Sequence, residues 1–340
     1  MVTKPYLKPA AVIDRESENL RFTYRGRAYT FPVSLTKPVE LATMAMDGRT
    51  PLPEIALNSL LATDEVQDLV TKLSGTPLLL DGEQEVLADG GLSGREAYWR
   101  LEGQMWDWRG LGQRTDIRPV TPLDVEVGAG RAPIDVVKGF CLEICHQVSN
   151  APREISLAIA NAPTKAARDL YMEFYEEEHP HGDMLREALA HWLPETGIDA
   201  AVPLPQTLGL LNTYNWWAQS DPLLYAVALM RDEGSGLDAT PAPETDVYEA
   251  MRTHYDVPKE VTERFHWHAT LDADLDHGSF PLDVFSTVPV IEPLRYAALT
   301  KAARGIVELY DALMNGVLEY YSANSAESRW SQVTTQAMAR

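Results

Sequence analysis

The sequence predicts a mainly α-helical protein with a small α/β domain at its start. Three observations carry that reading. From Ala132 onward apolar residues recur at three- and four-residue spacing and hardly ever alternate. Earlier, one stretch from Leu20 to Phe31 alternates around Gly26, and short helical segments follow it. Finally, 340 residues, 45% hydrophobic and 23% charged, are an ordinary globular mixture long enough for about two domains.

Residues 1–87 form the first domain. The alternation around Gly26 predicts a hairpin, and Pro38 sits at the start of a helix that ends near Asp47-Gly48. Pro51 and Pro53 open a second helix, since proline is tolerated in a first turn. A third begins at Asp64-Glu65, with Val66, Leu69, Val70 and Leu73 on one face, and Gly75 stops it. Residues 77–82 read as a wing strand and its turn, so the domain is expected to be a winged helix. Its charge argues against DNA: 9 Lys and Arg face 12 Asp and Glu through Leu87. The expected third helix carries three acids and one lysine, where a recognition helix needs groups that read bases. The segment resembles the small winged-helix modules of peptide-modifying pathways. That resemblance implies binding of a leader peptide or partner protein by strand addition; a plain accessory or dimerisation domain is the other reading.

Residues 88–130 read as a linker. Gly90-Gly91 and Ser93-Gly94 mark its start, and a helix rich in Trp99, Trp106 and Trp108 lies inside it. Helical segments are then expected over 133–149, 153–161, 164–179, 183–193, 206–218, 221–231, 244–254, 258–277 and 292–323. These make a second domain over 131–325, and 326–340 are a tail.

Composition narrows the function. The formal charge of −21 excludes a dedicated nucleic-acid binder and disfavours an anionic membrane surface. Two cysteines cannot build a disulfide framework, nothing at the N-terminus reads as a signal peptide, and no apolar run reaches about 18 residues. A cytoplasmic location is expected. No glycine-rich phosphate motif is present.

The chemistry-bearing residues gather in the helical domain. Five of the eight histidines fall in two segments: His179 and His181 in one, His266, His268 and His277 in the other. Glu176 and His179 are three apart, which puts them on one helix face, and Glu-x-x-His is a spacing by which helix bundles hold iron or manganese. Glu178 and His181 repeat the spacing, with Pro180 between, so the register is open. A solvated charge run at a helix end is the plainer reading of the acids. His268 and Asp272 share a face four apart. His266, Asp274 and His277 cluster on another, so the last segment also has two registers unless its helix is distorted. Cys141 and Cys145 read as small core residues.

Taken with residues 152–160, 204–207, 223–234 and 248–258, these segments resemble the heme-oxygenase-like diiron oxidases over roughly 130–325. The same fold includes pyrroloquinoline-quinone synthase and the thiaminase-II group, which use no metal. The resemblance implies a metal set of Glu143, Glu176, His179, Glu233, His268, Asp272 and His277, with Glu176, His179, Glu233 and His268 central to catalysis. It implies two ferrous ions, with manganese as the alternative, and O2 as co-substrate. The third histidine of the family pattern falls on Leu275, which is why His277 enters only with a helix distortion. The expected function is an O2-dependent non-heme diiron oxidase or oxygenase. It would act on a small molecule, or one linked to a peptide or carrier, in natural-product biosynthesis. A metal-free oxidase or hydrolase of the same fold and a non-catalytic binding protein are the alternatives. A homodimer is among the assemblies the sequence allows.

Overall fold

The computed structural model describes residues 2–9, 11–16, 19–24, 27–32, 36–108, 121–232, 246–274 and 279–330. The chain divides into two compact units, one of Met1–Arg118 with Leu282–Ala303, the other of Pro119–Pro281 with Arg304–Arg340.

The first unit begins with β1 (Pro5–Leu7), β2 (Val12–Glu16), β3 (Asn19–Tyr24) and β4 (Arg27–Pro32). β2, β3 and β4 form an antiparallel sheet in that order. Tyr24 pairs with Arg27, so β3 and β4 form the expected antiparallel pair; Gly26 lies outside the described residues. Helices α1 (Thr36–Met44), α2 (Leu52–Ser59) and α3 (Thr63–Leu73) follow. Leu20, Phe22 and Tyr24 recur at period two on β3 and are buried with Ile55, Val66, Leu69, Val70 and Leu73. The four apolar positions expected on α3 all enter this core.

The expected wing is different. β5 (Leu79–Asp81) is a strand, but it pairs antiparallel with β1, Leu7 opposite Leu79 and Pro5 opposite Asp81. A three-residue strand whose partner lies at the far end of the domain leaves no local alternation to read.

After α4 (Gly82–Glu85), the tryptophan-rich helix α5 (Gly94–Trp108) belongs to the first unit rather than to a linker. Buried carboxylates attach it. Glu96 receives two bonds from Arg49, at 3.0 and 2.6 Å, and one from Arg100 at 2.6 Å. Glu85 accepts from Arg95 Nε at 3.0 Å and Nη2 at 2.8 Å and from the Trp99 indole N–H at 2.7 Å. Tyr24 donates to Glu102, and the Lys8 ammonium lies 4.1 Å over the Trp99 ring.

The second unit is helical: α6 (Pro122–Gly128), α7 (Ile134–Asn161), α8 (Lys165–Glu178), α9 (His181–Leu189), α10 (Glu195–Ala200), α11 (Pro205–Ser220), α12 (Pro222–Asp232), α13 (Val247–Thr253) and α14 (Lys259–Asp274). The next helix, α15 (Phe280–Ser286), and the last, α16 (Pro293–Ala323), are shared between the two units by residue range. The two helices expected over 133–149 and 153–161 are one: α7 runs through Pro152. Proline removes one backbone bond there, but Glu154, Ile155 and Ala158 beyond it are buried and hold the second half in line. α7 is the central helix, packed against α8, α9, α11 and α12. No helix among the described residues is long and apolar enough to cross a membrane.

Candidate metal centre

α8 presents Ala167, Tyr171, Phe174 and Glu178 to the interior, at i, i+4, i+7 and i+11. This is the apolar stripe of an amphipathic helix with a carboxylate at its end. Thr164 caps the start, its hydroxyl accepting from Ala167 N at 3.1 Å. The helix stops at Glu178 because Pro180 has no N–H to continue the ladder, and α9 begins at His181. The break turns the chain without losing the face. Glu178 is 6% exposed, His181 is 4% exposed, and His181 Nδ1 lies 3.1 Å from Glu178 Oε2.

The third member arrives on α14, which packs against α9. Val261 and Phe265 are buried, and His268 continues their stripe at i+7 and i+3. The His181 and His268 rings meet edge to face, centroids 5.1 Å apart with planes at 78°. Ligand atoms of Glu178, His181 and His268 all lie within 4.8 Å of one another. Trp267 packs edge-on to His181 at 6.3 Å.

One carboxylate with two imidazoles is the donor set of the two-histidine, one-carboxylate triad that holds non-heme iron(II) with positions left open. Burial strengthens the fit, because an ionised carboxylate out of water needs a compensating positive charge. These three residues could hold one divalent first-row metal ion.

The other expected residues have different places. Glu176 and His179 are exposed, His179 lying against Tyr175 at 5.8 Å. Two residues of offset turn a side chain to the opposite side of a helix, so this register faces solvent. Glu143 is 1% exposed and already receives three donors: Leu204 N at 3.1 Å, Thr207 Oγ1 at 2.5 Å and Tyr321 Oη at 2.8 Å. It joins α7 to α11 and α16. Asp272 lies on α14, but its side chain, like that of Asp274, is outside the described residues, as are Glu233 and His277 altogether. His266 is exposed beside Tyr248, 5.7 Å between rings.

His146 follows Glu143 by three but is not in the cluster. Burial holds its imidazole below the ordinary range, against the pull of Glu143. Burial likewise pushes the Cys141 and Cys145 thiols up, which suits inert core residues. A residue the sequence reading passed over is Glu154 on α7, 3% exposed and bonded by Asn150 and Tyr225. Its place one turn before Ala158 and next to Ile155, on the same side of α7, was the available signal.

No protein-family model and no curated protein matches this chain. Solved structures do. A domain of unknown function with a heme oxygenase-like fold from Shewanella denitrificans OS217 superposes with a TM-score of 0.52 at 17% identity, over 65% of this chain and 90% of that one. A TenA homolog from Pseudomonas syringae pv. tomato DC3000 does so with 0.51 at 11% identity, over 69% and 96%. The protein is mainly α and has the heme-oxygenase-like fold.

Proposed function

We propose that the helical unit is a metal-dependent oxidase or oxygenase, with Glu178, His181 and His268 as ligands of a non-heme iron. The observation that carries this reading is the convergence of one buried carboxylate and two imidazoles from three helices within 4.8 Å. A ferrous ion held there supplies the reduction of O2, and with it oxidation of a C–H or N–H group. The protein's own part is to hold and shield. Glu178 supplies the negative charge that a cation needs, its contact orients His181, and the apolar faces of α8 and α14 keep water from the ligands. A diiron form would need further ligands for a second ion, and Glu233, Asp272 and His277 of the set the family resemblance implies are the candidates. The substrate class is a small molecule, free or attached to a peptide or carrier.

The test is anaerobic reconstitution with Fe(II), a metal count, and O2 consumption. Two irons per chain with rapid O2 uptake support the diiron form, and one iron supports the three-residue site alone. No bound iron overturns the reading and leaves the metal-free enzymes of this fold.

A peptide-binding role for the first unit is favoured by one observation. β4 is an edge of the β2–β3–β4 sheet, with Ala28, Thr30 and Pro32 exposed and Tyr29 and Phe31 packed against the core. Such an edge offers main-chain groups to an added strand. Hydrogen exchange checks it. Protection confined to β4 on adding a precursor peptide supports the role, and unchanged exchange contradicts it.

A further inference from the structure

Tyr171, Phe174 and Glu178 share one buried face of α8. At 1.5 Å per residue, Tyr171 stands about 10 Å along the axis from Glu178. Aromatic rings fill that interval and continue past it. Phe174 stacks on Phe280 at 4.3 Å, Phe280 meets Tyr171 edge-on at 5.3 Å, and Tyr171 lies over Tyr225 at 6.2 Å with planes at 28°. Tyr214 closes on Tyr225 at 6.1 Å. All three tyrosines are buried.

Their hydroxyl partners differ. Tyr171 Oη donates to the Pro222 carbonyl at 2.7 Å, a neutral acceptor that cannot keep a proton. Tyr225 Oη donates to Glu154 Oε2 at 3.3 Å, and Asn150 Nδ2 bonds the other carboxylate oxygen at 2.5 Å. Oxidising a buried phenol by one electron expels its proton, so the hole settles where a base is within hydrogen-bond reach. Glu154 is that base. A carboxylate buried at 3% exposure is also a costly group to keep without a role.

We propose that Tyr225 and Glu154 form a proton-coupled redox relay serving the centre at Glu178, His181 and His268. One electron leaves the Tyr225 phenol and crosses the Tyr171, Phe280 and Phe174 rings to the oxidised transition-metal ion, whose oxidation state falls by one. The phenolic O–H bond breaks, and its proton bonds to Glu154 Oε2. The products are a neutral tyrosyl radical and a neutral carboxylic acid, and return of an electron from substrate or reductant reverses both transfers. The oxidant rests on the iron reading above, whereas the tyrosine–carboxylate pair does not.

The experiment separates the two. In one arm the metal-free full chain is oxidised by a flash-generated ruthenium(III) polypyridyl complex and freeze-quenched for electron paramagnetic resonance. The expected result is a persistent tyrosyl signal, absent in Tyr225→Phe and at least about tenfold weaker in Glu154→Gln, both variants keeping the wild-type circular dichroism. A persistent signal indifferent to both substitutions overturns the relay. In the second arm the Fe(II)-loaded chain meets O2, and the same signal is expected with the same dependence. A pair-dependent signal in the first arm with none in the second upholds the pair and overturns its coupling to iron.

Discussion

Tyr321 Oη donates to Glu143 Oε1 at 2.8 Å, so the last long helix is bonded to the middle of α7 by a buried charge-assisted contact. Thr207 and the Leu204 amide complete the carboxylate's shell from α11. Burial pushes the Tyr321 phenol far above its ordinary range, and the charge of Glu143 and then the bond to it add to the effect. Tyr321→Phe should cost about 1.5–3 kcal/mol, the worth of a hydrogen bond to a charged group. Glu143→Ala should cost more, because it strands three donors. Urea unfolding measures both, and metal affinity should stay at the wild-type level in each. A Glu143 variant that loses metal while keeping its stability would restore that residue as a ligand.

Gly139 lies one turn before Glu143, and a Cβ there would stand 2.1 Å from Tyr321 Cδ2. Gly139→Ala should therefore displace the ring that Glu143 anchors. A loss of about 1–3 kcal/mol is expected, as in overpacked cores, despite alanine's better helix propensity. A thermal melt unchanged or raised would contradict the packing described.

His146 gives a pH dependence with a defined sign. Burial lowers its pKa from the usual 6.5 in the folded chain, so the unfolded chain takes up a proton first as pH falls. The stabilising effect of a neutral His146 is present above about 6.5 and is lost between that value and the lower folded pKa. Its slope is at most about 1.4 kcal/mol per pH unit. Denaturant titrations from pH 7 to 4.5 should show that slope in the wild-type protein and a shallower one in His146→Gln.

The carboxylates on α5 make a further prediction. Glu96 is 1% exposed and holds Arg49 and Arg100 together. Its loss strands two arginines that are themselves 28% and 47% exposed, so water compensates part of their charge and the cost is about 1.5–3 kcal/mol, the worth of hydrogen bonds to a charged group. Glu96→Ala should destabilise the first unit by that amount, and a fragment of residues 1–87 should be unstable without α5. A fragment of that length with a cooperative melt would contradict the attachment.

How far the sequence reveals all this depends on the kind of information each feature needs. Helices with a strong apolar stripe, such as α3, α8 and α16, are readable because periodicity is local. The continuity of α7 through Pro152 is not, because it depends on what its two halves pack against. β1 and β5 are too short to alternate and take each other as partners across most of the domain. In the metal site, Glu-x-x-His occurs twice at a two-residue offset, and spacing cannot choose between the copies. Tyr171 and Phe174 can: they share a face with Glu178 and not with Glu176. Reading the carboxylate against its apolar neighbours would have favoured Glu178 and His181. His268 was legible because Val261 and Phe265 precede it at helical spacing. Glu143 was misleading, since a buried glutamate facing the core looks the same whether it meets an ion or three hydrogen-bond donors.

The most direct test compares the two registers for metal. Fe(II) affinity is measured anaerobically for Glu178→Ala and His181→Ala on one side, and for Glu176→Ala and His179→Ala on the other. The buried pair should lose roughly 100-fold or more, beyond what outer-shell substitutions cost, and the exposed pair should bind as the wild type does. Loss of iron in Glu176→Ala and His179→Ala, with binding intact in Glu178→Ala and His181→Ala, would contradict the site.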